Sequence, residues 1–463
     1  AAISACARGR RWQSALRVLL AGEADVVGYN AAIHACERGL QWQPALELFA
    51  AMAASSLQPD VHTYGATISA CEKGGQWQAA LNFFTKMKLQ LPTQESGLVV
   101  RNATISACGR GQQWARALSL LEAMQLQGPG PDVISYNATI TACEKGAQWW
   151  RGCALLEEMR LRRVLASAVS YNAAISACEK AGRWAAALAL VHRMAEGRLT
   201  PGSITFNAAI SACSRGQQLQ AALALHGLML RKGVEADTVT FNATVSSCER
   251  SSDWRRALHF LAEMRREAIE PNGITCSTAI SACSKGHEWV LALALLSGMS
   301  SSSIPLCTVA CNAAINACEN GHRWALAVEL LQQMPQQRVV PSLISFNATA
   351  SACEKGRQWE RALRILRELP AWSLEPSSVS FGAVILACLG SRCWQPALAL
   401  LQELTLRGLE PDSSSCSGCL AECEDREALI RHEAAILSRL SRHAALGTTA
   451  ANVAALRLAS SGQ

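Results

Sequence analysis

The chain has 463 residues, a formal net charge of +7 and 20 cysteines. It contains no run of about 18 apolar residues, which excludes a helical membrane span. The modest positive charge permits a polyanionic partner without requiring one.

In chain order, the first residues read Ala1-Ala2-Ile3-Ser4-Ala5-Cys6, and this is already the inside of a unit, as expected of a fragment or of a chain whose leader has been removed. The unit returns as Tyr29-Asn30-Ala31-Ala32-Ile33-His34-Ala35-Cys36-Glu37-Arg38-Gly39, then as Tyr136-Asn137 through Cys143-Glu144-Lys145-Gly146, and again from Tyr171-Asn172. The position of Asn30 recurs at 65, 102, 137, 172, 207, 242, 277, 312, 347, 382 and 417, in steps of 35 except for one of 37. A fixed period of this size implies stacked supersecondary units. The first unit is about five residues short near Leu20-Ala21-Gly22, and two extra residues lie between Lys88 and Gly97.

Each unit predicts two helices. Tyr29, Ile33 and Cys36 share one helical face. Gly39 follows, with copies at Gly74, Gly111, Gly146, Gly216, Gly286, Gly321 and Gly356, and is expected to be a left-handed helix cap. A second helix starts near Gln41-Trp42, with Trp42, Ala45, Leu46, Phe49 and Met52 as its apolar stripe. Pro44 and Pro396 fall in its first turn, where a missing N–H is harmless. Pro59-Asp60, Pro131-Asp132, Pro271-Asn272 and Pro411-Asp412 close units and turn the chain into the next one. The expected architecture is an all-α solenoid of about 12–13 helical hairpins. Residues 1–440 hold the repeats, 425–440 form a polar-faced capping helix, and 441–463 form a weakly specified tail.

This register absorbs the composition. Cys6, Cys36, Cys71, Cys108, Cys143, Cys178, Cys213, Cys248, Cys283, Cys318, Cys353, Cys388 and Cys423 are copies of one position. Copies in adjacent units sit about a helix diameter apart, ~10 Å, beyond the ~7 Å Cα limit for a disulfide, so they read as small packing residues. Eleven of the 13 tryptophans and all nine methionines repeat in the same way. Cys416, Cys419 and Cys423 with His432 resemble a metal cluster only loosely, because a zinc knuckle wants a fourth ligand at tighter spacing. No Ser/His/Asp arrangement, Gly-rich phosphate loop or acidic nuclease cluster can be placed, so neither catalysis nor a cofactor is expected.

One face of the first helix is not explained by packing. Positions i, i+4 and i+8 stay roughly aligned on a helix. They read Asn30-His34-Arg38, Asn137-Thr141-Lys145, Asn172-Ser176-Lys180, Asn207-Ser211-Arg215 and Asn347-Ser351-Lys355. Stacking turns these into an amide ladder, a ladder of small polar residues and a cation ladder. The last comprises Arg38, Lys73, Arg110, Lys145, Lys180, Arg215, Arg250, Lys285 and Lys355. An amide can address the edge of an unpaired base, and a cation two turns on can meet phosphate. Two plainer readings stand beside this one. The asparagine is also a favoured helix N-cap, and a terminal cation also suits the helix dipole.

Val-x-Ser-Tyr-Asn, Ile-x-Ala-Cys, Lys-Gly, Ala-Leu, a late Met and Pro-Asp together resemble pentatricopeptide repeats, and the resemblance covers about 95% of the chain. It implies a right-handed superhelix that binds single-stranded RNA at about one base per repeat. It implies that the fifth residue of a repeat and its last residue jointly choose the base. Asn30 with Asp60, Asn102 with Asp132 and Asn207 with Asp237 would then prefer uracil. Asn137 with Ser167, Asn312 with Ser342, Asn347 with Ser377 and Asn242 with Asn272 would lean to cytosine or either pyrimidine. Asn172 with Gly202, Gly65 with Gly97, Ser277 with Cys307 and Gly382 with Asp412 depart from this pattern; Asn172 is still expected to read a base, and the other three registers are candidates for spacers. Val27, Ile134, Val169, Ile204, Val239, Ile274, Val309, Ile344 and Val379 occupy the position of the family's base-sandwiching aliphatic residue. The resemblance further implies a monomer acting on organelle transcripts, with the chloroplast ahead of the mitochondrion. The competing functions are a protein-binding scaffold similar to tetratricopeptide arrays, and an enzyme whose catalytic domain lies outside this chain.

Overall fold

The structure is a computed structural model that describes residues 5, 9, 11–20, 25–55, 57–91, 97–126, 130–302 and 304–424. The capping helix at 425–440, the tail at 441–463 and His432 lie outside the described residues. The described chain contains 24 α-helices and one short 3-10 helix, Leu369–Trp372, and no strand. None of the helices is long and apolar enough to cross a membrane. The chain divides into two compact units, Ala1–Ala236 and Asp237–Gln463.

In the first unit the helix Trp12–Leu20 precedes six first helices: Val26–Arg38, Val61–Lys73, Leu98–Arg110, Val133–Lys145, Ala168–Lys180 and Ser203–Arg215. Each is followed by a second helix: Trp42–Ala54, Trp77–Gln90, Trp114–Leu126, Trp149–Leu161, Trp184–Glu196 and Leu219–Arg231. In the second unit the first helices are Thr238–Arg250, Gly273–Lys285, Thr308–Asn320, Leu343–Lys355, Ser378–Gly390 and Ser413–Glu424. Their second helices are Trp254–Arg266, Trp289–Ser301, Trp324–Gln336, Trp359–Glu368 and Trp394–Leu406. Within each unit a first helix packs on the first helix of the next hairpin and on the second helices before and after it. This is the quasi-one-dimensional stacking that the period implies.

The residue that closes one repeat starts the next helix. Asp60 accepts from the Thr63 backbone N–H at 2.7 Å while the Thr63 hydroxyl accepts from the Asp60 N–H, a reciprocal capping box. Asp132 with Ser135, Ser167 with Ser170, Asp237 with Thr240, Asn272 with Thr275, Ser342 with Ser345 and Ser377 with Ser380 repeat it. The asparagine ladder therefore does not cap. Asn30 lies a full turn inside its helix, whose N-cap is Asp25.

The glycine after the first helix is not left-handed, contrary to the expectation from sequence. Gly39 has φ −78° and Gly74 has φ −81°. The left-handed position is the next residue: Leu40 at φ 58°, Gly75 at 71°, Gln112 at 58° and Ala147 at 54°. Glycine is selected by space instead. A Cβ on Gly74 would lie 2.4 Å from Trp42 Cδ1, and one on Gly146 would lie 2.4 Å from Trp114 Cδ1. The tryptophan that opens one second helix thus sits on the end of the next first helix. Ala181 and Ser391 are exceptions that follow units carrying Trp149 and Trp359.

The core repeats with the sequence. Ile33, Cys36, Ala45 and Met52 are fully buried, as are Ile68, Cys71 and Ala80 one unit on. Burial pushes the repeat thiols up, Cys71 and Cys143 to about 11, which keeps these two protonated at neutral pH.

Candidate nucleic-acid interface

Within the units, the stacking brings Asn30, Asn102, Asn137 and Asn312 onto the closing residue 30 positions later. Asn30 Nδ2 lies 3.2 and 3.3 Å from the two carboxylate oxygens of Asp60, and the Thr63 hydroxyl donates to Asn30 Oδ1 at 2.6 Å. Asn102 Nδ2 donates to Asp132 Oδ1 at 3.2 Å, and Ser135 donates to Asn102 Oδ1 at 2.6 Å. Asn137 with Ser167 and Asn312 with Ser342 meet at 3.4 and 3.5 Å. Asn172, Asn242 and Asn347 accept from Thr205, Thr275 and Ser380 at 2.7, 2.5 and 2.7 Å. Asn207 lies on Ser203–Arg215 in the first unit, and Asp237 is the N-cap of Thr238–Arg250 in the second.

These bonds orient the amide without exhausting it. A primary amide has two donor hydrogens and two acceptor lone pairs. In Asn30 and Asn102 one donor is used by the closing residue and one acceptor site by the capping hydroxyl behind it, so these bonds do not use the full capacity of the amide. Asp60 and Asp132 are held ionised. Burial raises their pKa, but the Thr63 or Ser135 backbone N–H and hydroxyl, and the asparagine amide, lower it below the usual 3.8. Each complete pair therefore presents an oriented amide beside a carboxylate or hydroxyl.

The departing registers differ physically. Asn172 faces Gly202, which has no side chain to offer. Ser277 turns its hydroxyl back to Ile274 O at 3.0 Å. At Gly65 and Gly97 both members are missing, and an open groove of about 630 Å³ forms there, bordered by Val27, His62 and Val99. At Gly382 the Asp412 carboxylate closes over the space a Cβ would take, at 3.4 Å.

One turn ahead of the amides runs an apolar line. Val27, Ile134, Val169, Ile204, Val239, Ile274, Val309, Ile344 and Val379 are between 58 and 71% exposed. One exposed valine needs no explanation, whereas the same exposure at one register of successive helices marks a surface made to be covered. Val99, 78% exposed, belongs to the same line. Its signal in the sequence is its place three residues before Asn102, obscured by the two-residue insertion.

The cation ladder, expected from sequence to face phosphate throughout, has carboxylate partners at six of its positions in the structure. Lys73 Nζ lies 2.8 Å from Glu37 Oε1 of the preceding repeat. Lys180–Glu144, Lys285–Glu249 and Lys355–Glu319 repeat this at 2.9, 2.6 and 2.9 Å, with Arg110–Glu72 and Arg215–Glu179 looser at 3.6 and 3.9 Å. The small polar ladder joins in, since Ser69, Ser106, Ser176, Ser281 and Ser351 donate to the same glutamates. Six cations are therefore engaged by glutamates between hairpins, five of them in a serine–glutamate–cation clamp. Among the described residues Arg38, Lys145 and Arg250 have no carboxylate partner, because the preceding repeat supplies Ala7, Gly109 and Ser214 where glutamate stands elsewhere. Conversely Glu354 precedes a repeat with Gly390 at the cation position, and burial together with Glu319 raises its pKa. The sequence does carry this signal, in the glutamate that recurs directly before the cation. No group of three or more His, Cys, Asp or Glu side chains among the described residues is placed to hold a metal ion.

Three family models match the chain. The PPR repeat family matches residues 24–73, 166–215 and 236–285, the pentatricopeptide repeat domain 294–356, and the PPR repeat 62–90 and 204–234. Among curated proteins no sequence is similar enough to match. Of solved structures, the pentatricopeptide repeat protein PPR10 in complex with an 18-nt psaJ RNA element is 18% identical, with 95% of this chain and 77% of that chain covered and a TM-score of 0.52. PPR10 from maize in a second structure is 18% identical over 98% of this chain and 79% of that one, at a TM-score of 0.47. Yeast Rmd9p in complex with 16-nt target RNA is 9% identical over 97% and 94%, at 0.39. The likeness to the PPR10–RNA complex agrees with the hairpin stacking described above. With family models aligned to more than half of its length in the register of these hairpins, the chain belongs to the pentatricopeptide repeat family.

Proposed function

We propose that this chain is a sequence-selective, single-stranded RNA-binding protein that reads about one base per repeat and has no catalysis of its own. The observation that carries the reading is the pairing of Asn30, Asn102, Asn137 and Asn312 with the residues closing their repeats, one turn from a line of exposed Val and Ile. The amide and its partner address the Watson–Crick edge, and the aliphatic line covers the base faces. Asn30/Asp60, Asn102/Asp132 and Asn207/Asp237 select uracil. Asn137/Ser167, Asn242/Asn272, Asn312/Ser342 and Asn347/Ser377 accept pyrimidines, and Asn172 contributes an amide alone. PPR10, which shares the fold at low identity, has been solved in complex with an RNA element. The cellular role that follows is processing, stabilisation or translation of organelle transcripts, in the chloroplast before the mitochondrion. Selection of bound sequences from a random RNA pool tests the proposal. A pyrimidine-rich consensus with preference for single strands is expected, and equal affinity for duplex, or no consensus, defeats it.

A further inference from the structure

In the second helices the residue four places after the opening tryptophan is nearly always leucine, as at Leu46, Leu81, Leu118, Leu188 and Leu258. Cys153 takes that place on Trp149–Leu161, alone among the repeats. Its sulfur lies 4.0 Å from the sulfur of Cys178 on the next hairpin's first helix, Ala168–Lys180. Cys178 is one of the repeat cysteines and is fully buried, whereas Cys153 is partly exposed. The repeat cysteines do not reach their own copies, but here a second thiol has been set beside one of them.

The surroundings allow the two to close. Two thiols at 4.0 Å are in van der Waals contact, and a bond requires the sulfurs to approach to about 2.05 Å. The residue before Cys153 is Gly152, where the other second helices carry a buried alanine. A Cβ on Gly152 would meet nothing nearer than 3.8 Å, and the atoms it would meet are in Ile140 and Ala174. Slack therefore exists between this second helix and the helix that holds Cys178.

We propose that Cys153 and Cys178 form a peroxide-sensitive disulfide that staples two consecutive hairpins. The Cys153 thiolate attacks one oxygen of hydrogen peroxide. The O–O bond breaks, and the departing hydroxide leaves as water with the proton given up by the thiol. Cys153 is then a sulfenic acid. The Cys178 sulfur attacks the Cys153 sulfur, the S–O bond breaks, and the hydroxide takes the Cys178 proton to leave as a second water. The two thiols lose two protons and two electrons, and the peroxide is reduced to two waters. Cys153 reacts first because it is the accessible partner, and its contact with Cys178 lowers its pKa while raising that of Cys178.

The experiment is brief exposure of the chain to stoichiometric hydrogen peroxide, alkylation of remaining thiols, digestion and mass spectrometry. The expected product is a Cys153–Cys178 linked peptide pair, lighter by two hydrogens and reversed by a thiol reductant. The melting temperature of the bridged protein should rise by at least about 2 °C, because the bond constrains the unfolded chain. Cys153→Leu restores the residue used by other repeats, so it should fold, yield no linked pair and show no rise. Cys153 recovered as free thiol or as sulfinic acid, or linked to a different cysteine, overturns the proposal. So does a bridge that leaves the melting temperature unchanged.

Discussion

Gly111 packs so tightly on the indole of Trp77 that a Cβ at its position would lie 2.1 Å from Trp77 Cδ1. The contact joins the second helix of one repeat to the first helix of the next, and copies of it hold much of the chain in register. Gly146→Ala, facing Trp114 at 2.4 Å, should therefore destabilise the protein by about 1–3 kcal/mol through overpacking. Gly75→Ala is the informative contrast, since it adds a Cβ to open space at φ 71° and strains only the backbone. Trp114→Leu should make the glycine substitution cheaper, so that the double mutant loses less than the sum of the singles. Additive losses measured by denaturant unfolding would show that Gly146 is kept for a reason other than the indole.

The repetition made much of this architecture legible in advance. Tyr29, Ile33, Cys36, Ala45 and Met52 are core positions in sequence and in structure because each is stated once per unit. The pairing of Asn30 with Asp60, and of Asn102 with Asp132, came from the resemblance to pentatricopeptide repeats and not from the period itself. What escaped are contacts that depend on the phase of one helix against the next. Gly74 looked like a left-handed cap, and only the position of Trp42 shows that it is a contact surface. Lys73 looked free, yet Glu37, one repeat and one residue earlier, reaches it. Val99 and Cys153 broke the pattern locally, and a period-based reading passes over such positions.

The clamp changes what salt should do to RNA binding. Nine phosphate contacts would give a log–log slope near −6, at about 0.7 per contact. With only Arg38, Lys145 and Arg250 unpaired, a slope of about −2 is expected. Lys145→Gln should lower its magnitude by about 0.7 and leave stability nearly unchanged. Lys180→Gln, which removes the 2.9 Å partner of Glu144, should leave the slope in place and reduce stability by up to about 1 kcal/mol. Titrations at several salt concentrations decide the matter, and equal effects of the two substitutions would return the whole ladder to the phosphates.

Stability should fall in acid. Burial raises the pKa of Glu37, but donation from Lys73, Ser69 and His34 outweighs it and brings the group below the usual 4.5. Asp60 and Asp132 lie below the usual 3.8. Groups with lowered folded values contribute stability that is present above the ordinary pKa and lost as pH falls. Unfolding midpoints should therefore decline as pH drops below about 4.5. Glu354 has the opposite sign. Its value is raised by burial and by Glu319, so its contribution is present in acid and lost as pH rises through the folded value. Glu354→Gln should accordingly raise the melting temperature at pH 7 and give little gain at pH 4. An equal gain at both pH values would mean that the carboxylate charge is not the cause.

The sharpest test of base reading is one register. Asn102 is 8% exposed, and its amide is held between Asp132 and Ser135. In the pentatricopeptide pattern a fifth-position threonine with a closing aspartate prefers guanine, so Asn102→Thr should move selection at that position from uracil toward guanine. The rest of the bound consensus should stay as it was. Threonine is shorter and leaves Asp132 without its amide donor, but Asp132 keeps its bonds to the Ser135 backbone N–H and hydroxyl. The helix-propensity cost of the exchange is small, within about 1 kcal/mol. A mismatched base contact is worth about 1–3 kcal/mol in comparable readout, so the change stands clear of the folding cost. If the variant folds, binds RNA and selects the same sequence as before, Asn102 and Asp132 serve the joint between repeats and do not read a base.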